Sequence, residues 1–416
     1  MANDEWRMTN GERRMANGEW RMTNGERRMT NGERRMAISD TRFADLPICR
    51  FADLECAIGE YMTEKIRVGI IGCGVGRFHA RQYAAMEDVE LVALAGLDQG
   101  RCREIAGQHD IPRIYRDYTE LIAQPDIDGV SVCVPNHLHA PVTIAALEAG
   151  KHVLVEKPLA TTVVEGEAMA EAASRTGRVL MVAFNYRFRN DSLVLKRHVE
   201  AGSLGKIYFA RTGWLRHQGI PVGAEGWFID KARSGGGCLI DLGVHMLDLA
   251  LWFMGNPCVL SVSAATYAAL GPRGRGLFPG TRFQGKITTF DVEDLVTAFL
   301  RLETGTTLAL EVSWAGYIQE GDRFFVQLWG DEGGAEMNVL NYTRQDTLRL
   351  YADVQGARAE VHLQTEGASE QTVTGEFVRA IRQGRPLSPK VEEGLQILRI
   401  IEAIYRSAAE GHEVTL

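Results

Sequence analysis

From Lys65 onward the chain alternates short apolar, β-branched runs with helix-like stretches, and the first apolar run ends directly in glycines. IRVGIIG reads as a strand, FHARQYAAME as a helix and VELVALAGLD as a second strand. Two strands joined through a helix must pair in parallel, because a parallel pair needs a long crossover between its members. The rhythm continues through a helical REIAGQHD, the strand GVSVCVP, the helix APVTIAALEAG, the strand HVLVEKP, the helix VEGEAMAEAASRTG and the strand VLMVAFN. It predicts an α/β fold opening with a doubly wound parallel sheet over residues 62–184.

The texture then changes. A helix near 190–201, the strand KIYFARTGWL and a glycine-led helix over 235–254 precede a series of longer strands: SVSAATYAAL, DLVTAFLRL, TTLALEVSWA, RFFVQLWG and LRLYADV. Strands in consecutive order predict a large, mostly antiparallel open sheet in an α+β domain over 185–416. An amphipathic helix closes it, with Leu395, Leu398, Ile401 and Tyr405 on one face. GPRGRGLFPGTRFQG at 271–285, rich in Gly and Arg, reads as a mobile loop.

Residues 1–61 differ from all of this. They open with five tandem heptads of the MTNGERR type, followed by a duplicated RFADL. The heptads offer Met alone or Met with Trp, and most carry a helix-weakening Asn-Gly, so they supply no apolar seam for a coiled coil. A disordered, low-complexity extension is expected, and the exact repeats also fit a tandem nucleotide repeat read from an upstream start, with Met62 as the functional beginning. The net charge of -8 is spread without a basic stripe, which argues against a nucleic-acid or acidic-membrane partner and for a small molecule. Seven cysteines show no CxxC spacing, and no apolar stretch reaches ~18 residues, so reduced thiols and a cytoplasmic location are expected.

Gly72, Gly74 and Gly76, with Val75 among them, stand between the first strand and the first helix. A pyrophosphate needs that arrangement, because residues without side chains let the backbone approach it while helix N-terminal amides face its charge. The Gly-x-Gly-x-Gly spacing is one residue shorter than the usual Rossmann fingerprint. Asp98, at the end of the second strand, can accept the adenosine ribose hydroxyls, which favours NAD; Arg101 and Arg103 nearby keep NADP possible.

Pro135, Asn136, His137, Leu138 and His139 end the next strand and should face the cofactor, since ligands of open α/β sheets lie beyond the strands' carboxyl ends. The His-x-His pair lacks a Cys or carboxylate at ligand spacing, so no metal is expected. Lys157, between Glu156 and Pro158, follows a buried strand and can donate to a substrate oxygen. Asp241 and His245 lie four apart in a helix, hence on one face, where a hydrogen bond would fix the imidazole for acid-base work. Asp248 stands one turn further along and could extend that pair.

Taken together, GIIGCGVGRFHA, VPNHLHA, VLVEKPLA and SGGGCLIDLGVHMLDL resemble the glucose-fructose oxidoreductase and inositol dehydrogenase (Gfo/Idh/MocA) family over roughly 64–416. The resemblance implies hydride transfer between a nicotinamide and a hydroxyl-bearing carbon of a sugar or polyol. Lys157, Asp241 and His245 would be the catalytic and substrate-binding set, with His245 exchanging the hydroxyl proton and Lys157 polarising the same oxygen. It also implies Asn136, His139, Glu156 and Arg187 on the cofactor side, Asn185, Trp227 and Lys231 with the substrate, and assembly as a homodimer or homotetramer. Two further readings share the fold: a glycoside hydrolase working by transient oxidation, and a non-catalytic dinucleotide-sensing regulator.

Overall fold

A computed structural model describes residues 64–222, 224–279, 290–365 and 371–416. The heptads, the RFADL duplication and part of the Gly- and Arg-rich segment, 280–289, lie outside the described residues.

Six strands, β1 (Ile66–Ile71), β2 (Val89–Ala95), β3 (Arg113–Tyr115), β4 (Gly129–Val132), β5 (His152–Val155) and β6 (Leu180–Val182), pair in parallel in the order β3-β2-β1-β4-β5-β6. Helices α1 (Gly76–Ala84), α2 (Gln99–Gln108), α3 (Tyr118–Ile122), α4 (His139–Glu148) and α5 (Val163–Thr176) connect them. Val68, Ile70, Leu94, Val130, Val132, Val153 and Val155 are completely buried. A strand covered on both faces must be apolar throughout, and that is why these strands read as continuous β-branched runs. The short β3 and α3 show no period in the sequence. Strand order reverses between β1 and β4, which opens a crevice beyond their carboxyl ends.

The second sheet has nine strands: β7 (Ile207–Arg216), β8 (Val259–Tyr267), β9 (Leu295–Leu302), β10 (Thr307–Ser313), β11 (Asp322–Gly330), β12 (Gly333–Leu340), β13 (Leu348–Val354), β14 (Ala357–Leu363) and β15 (Val414–Thr415). Their order is β14-β13-β12-β11-β7-β10-β9-β8-β15. Every neighbouring pair is antiparallel except β7 with β10. The alternation in β9 shows the two faces: Val296, Ala298, Leu300 and Leu302 are buried, while Thr297, Phe299 and Arg301 point outward.

Further helices are α6 (Asn190–Glu200), α7 (Lys231–Ser234), α8 (Val244–Phe253), α9 (Val373–Gln383) and α10 (Val391–Glu410). The single helix expected over 235–254 is instead a turn of π-helix at Leu239–Gly243 running into α8, with the short α7 just before it. The run Lys231–Phe253 is long and apolar enough to cross a membrane by composition, and 89% of its most apolar window is buried inside the protein. Its hydrophobicity is that of a core helix packed against β7, β11 and α10.

The parallel β7/β10 pair matters for the site. Because both strands run the same way, Arg216 at the end of β7 and Trp314 just past β10 emerge side by side.

Candidate active site

At the end of β1, Gly72 has φ 109°, and a side chain there would run into the Cys133 carbonyl, so only glycine turns the chain at this point. A Cβ on Gly74 would meet nothing within 4 Å, which leaves open ground above the loop. No side chain caps α1, whose N-cap is Val75, so although the Phe78 amide donates to the Val75 carbonyl at 2.8 Å, the amides of Gly76 and Arg77 are left for an anion. Open backbone and free amides fit a pyrophosphate. Exposed Asp98 caps α2 by accepting the Arg101 amide at 3.0 Å through Oδ1, and its second oxygen remains for a ribose. The capping and ribose-binding readings of Asp98 are thus compatible.

Asn136 is buried and donates to the Ser234 carbonyl at 2.8 Å, tying the turn after β4 to α7. His139 does not face a ligand. It is 1% exposed, with Nδ1 2.7 Å from the Pro158 carbonyl and Nε2 3.0 Å from the Val134 carbonyl, so the ring braces two loops.

Lys157 follows β5 and reaches across to the second sheet's helix. Its ammonium donates to the Asp241 carbonyl at 2.8 Å and to Asp241 Oδ1 at 3.0 Å. The Trp314 indole donates to the other oxygen, Oδ2, at 2.9 Å. Burial favours the neutral acid, but Lys157, Arg216 and the indole outweigh it and hold Asp241 at about 2. His245 is 6% exposed, with its ring edge-on to Tyr186 at 4.7 Å and tilted against Trp214 at 5.9 Å. Its Nδ1 is buried without a hydrogen-bond partner among the described residues. Burial, then the nearby positive charges of Lys157 and Arg216, pushes this histidine well below its usual value despite Asp241. The imidazole is therefore neutral.

The hydrogen bond expected between Asp241 and His245 is not formed, since the carboxylate is engaged by Lys157 and Trp314. Asp241 lies in the π turn, where the wider i to i+5 pitch moves residues four apart out of register. Lys157 and Asp241 are in direct contact, and His245 is coupled to both through electrostatics rather than a hydrogen bond.

Arg187 is also placed differently from expectation. Its guanidinium is buried, donating to Asp248 Oδ2 at 2.9 Å, Glu393 Oε1 at 2.9 Å and Ser388 Oγ at 2.7 Å, so it anchors α8 to α10 rather than facing a cofactor. Asp248 consequently belongs to that network and does not extend the Asp241 pair. Burial raises its carboxyl to about 6 even with Arg187 opposing. Asn185 is exposed, Trp227 stacks on Phe228 at 3.8 Å, and the Lys231 ammonium lies 5.1 Å over the Tyr405 ring. None of these three contacts the Lys157 and Asp241 pair.

Several residues at the site went unnoticed in the sequence. Trp314 and Arg216 sit at predicted strand ends, the only signal they carried. Arg216 donates to Asp322 Oδ2 at 2.7 Å and to the Tyr342 hydroxyl at 2.9 Å. Glu293 accepts the Gly237 amide at 3.0 Å, the Leu239 amide at 2.9 Å and the Tyr405 hydroxyl at 3.0 Å. A side chain on Gly237 would strike the Glu293 backbone, so this glycine lets the strap carrying Asp241 close onto β9's lead-in. Behind Glu156, His79 places Nε2 2.9 Å from Oε1. Among the described residues no group of three or more His, Cys, Asp or Glu is arranged to hold a metal ion.

Residues 66–184 match the family model described as an oxidoreductase family, NAD-binding Rossmann fold, and 196–416 match its C-terminal alpha/beta domain. The chain belongs to the Gfo/Idh/MocA oxidoreductase family. It is 33% identical over 362 residues to D-glucoside 3-dehydrogenase of Escherichia coli, covering 85% of this chain and 98% of that protein. It is 30% identical over 382 residues to levoglucosan dehydrogenase of Pseudarthrobacter phenanthrenivorans, covering 83% and 97%. A solved levoglucosan dehydrogenase in complex with NADH and L-sorbose superposes with a TM-score of 0.74 at 29% identity, over 85% of this chain and 99% of that one. This Gfo/Idh/MocA member is therefore an oxidoreductase with an NAD-binding Rossmann fold, as the motifs implied.

Proposed function

We propose that this oxidoreductase oxidises a ring hydroxyl of a neutral, glucoside-like sugar, with NAD preferred over NADP. The observation that carries the reading is the Lys157 ammonium held on Asp241, with both charges acting on a neutral His245 whose Nδ1 has no hydrogen-bond partner among the described residues. Bound NAD would accept a hydride from the carbinol carbon. His245 takes the hydroxyl proton onto its free imidazole, for which a neutral ring is required. Lys157 donates to the same oxygen and stabilises the charge developing there, while Asp241 and Trp314 keep the ammonium aimed. Orientation of this kind contributes up to ~7–11 kcal/mol in favourable cases, and a matched base ~10²- to 10⁴-fold.

Substrate class is supported from two sides. Among the described residues, the two cations that act electrostatically on His245 are already paired, Lys157 with Asp241 and Arg216 with Asp322, which favours a neutral sugar over an acidic one. Tyr186, half-buried and edge-on to His245, offers an apolar surface for a sugar ring. The relatives named above act on such compounds. Asp98, with a carboxylate oxygen free at the end of β2, supports NAD. The two separate sheets support a division into a dinucleotide-binding part over 62–184 and a substrate part over 185–416, with α9 returning to pack Phe377 and Val378 into the core of the first sheet. Phe299, Trp329 and Tyr351, exposed on the outward face of the second sheet, support self-association as a dimer or tetramer.

The test is a screen of glycosides, free sugars, sugar acids and inositols with NAD and NADP, followed by absorbance of the reduced ring. Reduction with a neutral sugar is expected. Tight NADH binding with no turnover on any neutral sugar overturns the reading.

A further inference from the structure

Lys157 has two carboxylates within reach, Asp241 across the cleft and its own neighbour Glu156. Both are largely buried. The ammonium sits on Asp241, and Glu156 instead takes the backbone amide of Lys157 at 3.2 Å through Oε2. What engages Glu156 Oε1 is His79 Nε2, at 2.9 Å. His79 comes from α1, the helix whose N-terminus is the glycine loop, and is 3% exposed. Its other nitrogen lies 3.0 Å from Ser131 Oγ, which in turn lies 2.9 Å from the Tyr83 hydroxyl.

We propose that His79 is a positioning residue: as a cation it compensates Glu156 and so leaves the Lys157 ammonium to Asp241. The inference rests on the role given to Lys157 under the proposed function. A buried carboxylate without a counter-ion captures the nearest cation, and for Glu156 that would be Lys157. Drawn back to Glu156, the ammonium would leave the reacting oxygen. The groups facing the ring are Ser131 and Cys133 at β4, Tyr83 on α1, and Glu156 after β5. Burial opposes charging the imidazole; Cys133, once ionised, and the Glu156 carboxylate at 2.9 Å more than offset it, raising His79 to about 10, and because burial holds the Cys133 thiol above its ordinary value, Glu156 is the partner that acts at neutral pH. Glu156 is lowered, with burial opposed by His79 and then Lys157. The chain His79, Glu156, Lys157, Asp241 thus links the helix under the pyrophosphate to the catalytic ammonium by consecutive polar contacts.

A double-mutant cycle on the full chain tests this with H79Q, E156Q and the pair together. In the wild-type background H79Q is expected to lower kcat by about 10- to 100-fold, the scale of an ångström's misplacement, with NADH affinity from fluorescence titration changed less than about threefold. In the E156Q background, where no competing charge remains, the same substitution changes kcat less than about twofold. A purely structural histidine would cost the same factor in both backgrounds, and that result overturns the proposal. A crystal structure of H79Q gives a readout independent of substrate. Lys157 Nζ on Glu156 supports the proposal, and Nζ still on Asp241 overturns it, whether or not any sugar is turned over.

Discussion

The parallel sheet and the nine-stranded sheet build the same site by opposite means. In the parallel half the candidate cofactor and substrate groups stand at strand ends, within a few residues of the glycine, proline or aspartate that marks each end: Gly72 after β1, Asp98 after β2, Asn136 after β4, Lys157 after β5, with His79 on α1 behind them. In the second half only Asp241 and His245 announce themselves. Their partners arrive from elsewhere in the chain: Trp314 from beyond β10, Glu293 from before β9, Arg216 from the end of β7. Cofactor binding is thus written locally, while the geometry of the reacting groups depends on how a distant sheet packs.

That contrast predicts which substitutions separate binding from chemistry. The largest effect is expected from H245A, which removes the base: turnover should fall by ~10²- to 10⁴-fold while NADH affinity in a fluorescence titration stays near wild type. A parallel loss of NADH binding would erase the distinction between the two halves. Next comes W314F. Losing one hydrogen bond to a charged carboxylate, worth ~1.5–3 kcal/mol, should lower kcat about tenfold or more without altering the KM for NAD. If W314F is kinetically silent, the distant sheet does not set the geometry.

Asp98 sharpens the comparison from the other side. D98A should cost ~1 kcal/mol of stability through the lost helix cap and raise the KM for NAD, whereas D98S keeps a capping oxygen and should lose only the cofactor preference. Equal NAD to NADP ratios in D98S and wild type would assign Asp98 to the cap alone.

The smallest effects are in pH dependence. Because burial and neighbouring cations depress His245 below its ordinary 6.5, the ring stays neutral and competent into mildly acidic solution, so the acid limb of kcat/KM for oxidation should lie below that value. A limb at or above it contradicts a depressed base. For stability His79 acts in the opposite sense. Its folded value, about 10, exceeds the ordinary 6.5, so its contribution is fully present below 6.5 and is lost as pH rises through 10. Thermal melts should show that alkaline loss in wild type, and less of it in H79Q.

The doubly wound sheet and its cofactor were legible because strand ends and helix caps are punctuated by a few residue types. Two expectations failed for one reason each. Arg187 was assigned to the cofactor, but Asp248 and Glu393, both remote in sequence, claim its guanidinium. The bond from Asp241 to His245 presumed an α-helical pitch, and a single π turn, which no residue pattern signals, broke that register. His139 likewise looks like a ligand until two backbone carbonyls are seen to hold both ring nitrogens.

Order along the chain by itself determined a parallel sheet with a glycine-lined helix start after β1, because crossover connections leave few other topologies, and together with the later motifs it pointed to a dinucleotide. It also determined which lysine and which histidine were available for chemistry. Only the tertiary structure decided their protonation and aim. A neutral imidazole and an ammonium turned to Asp241 rather than Glu156 depend on burial and on charges tens of residues away, and the free energy of placing a charge depends on the distance and dielectric around it, which neighbours in sequence do not set.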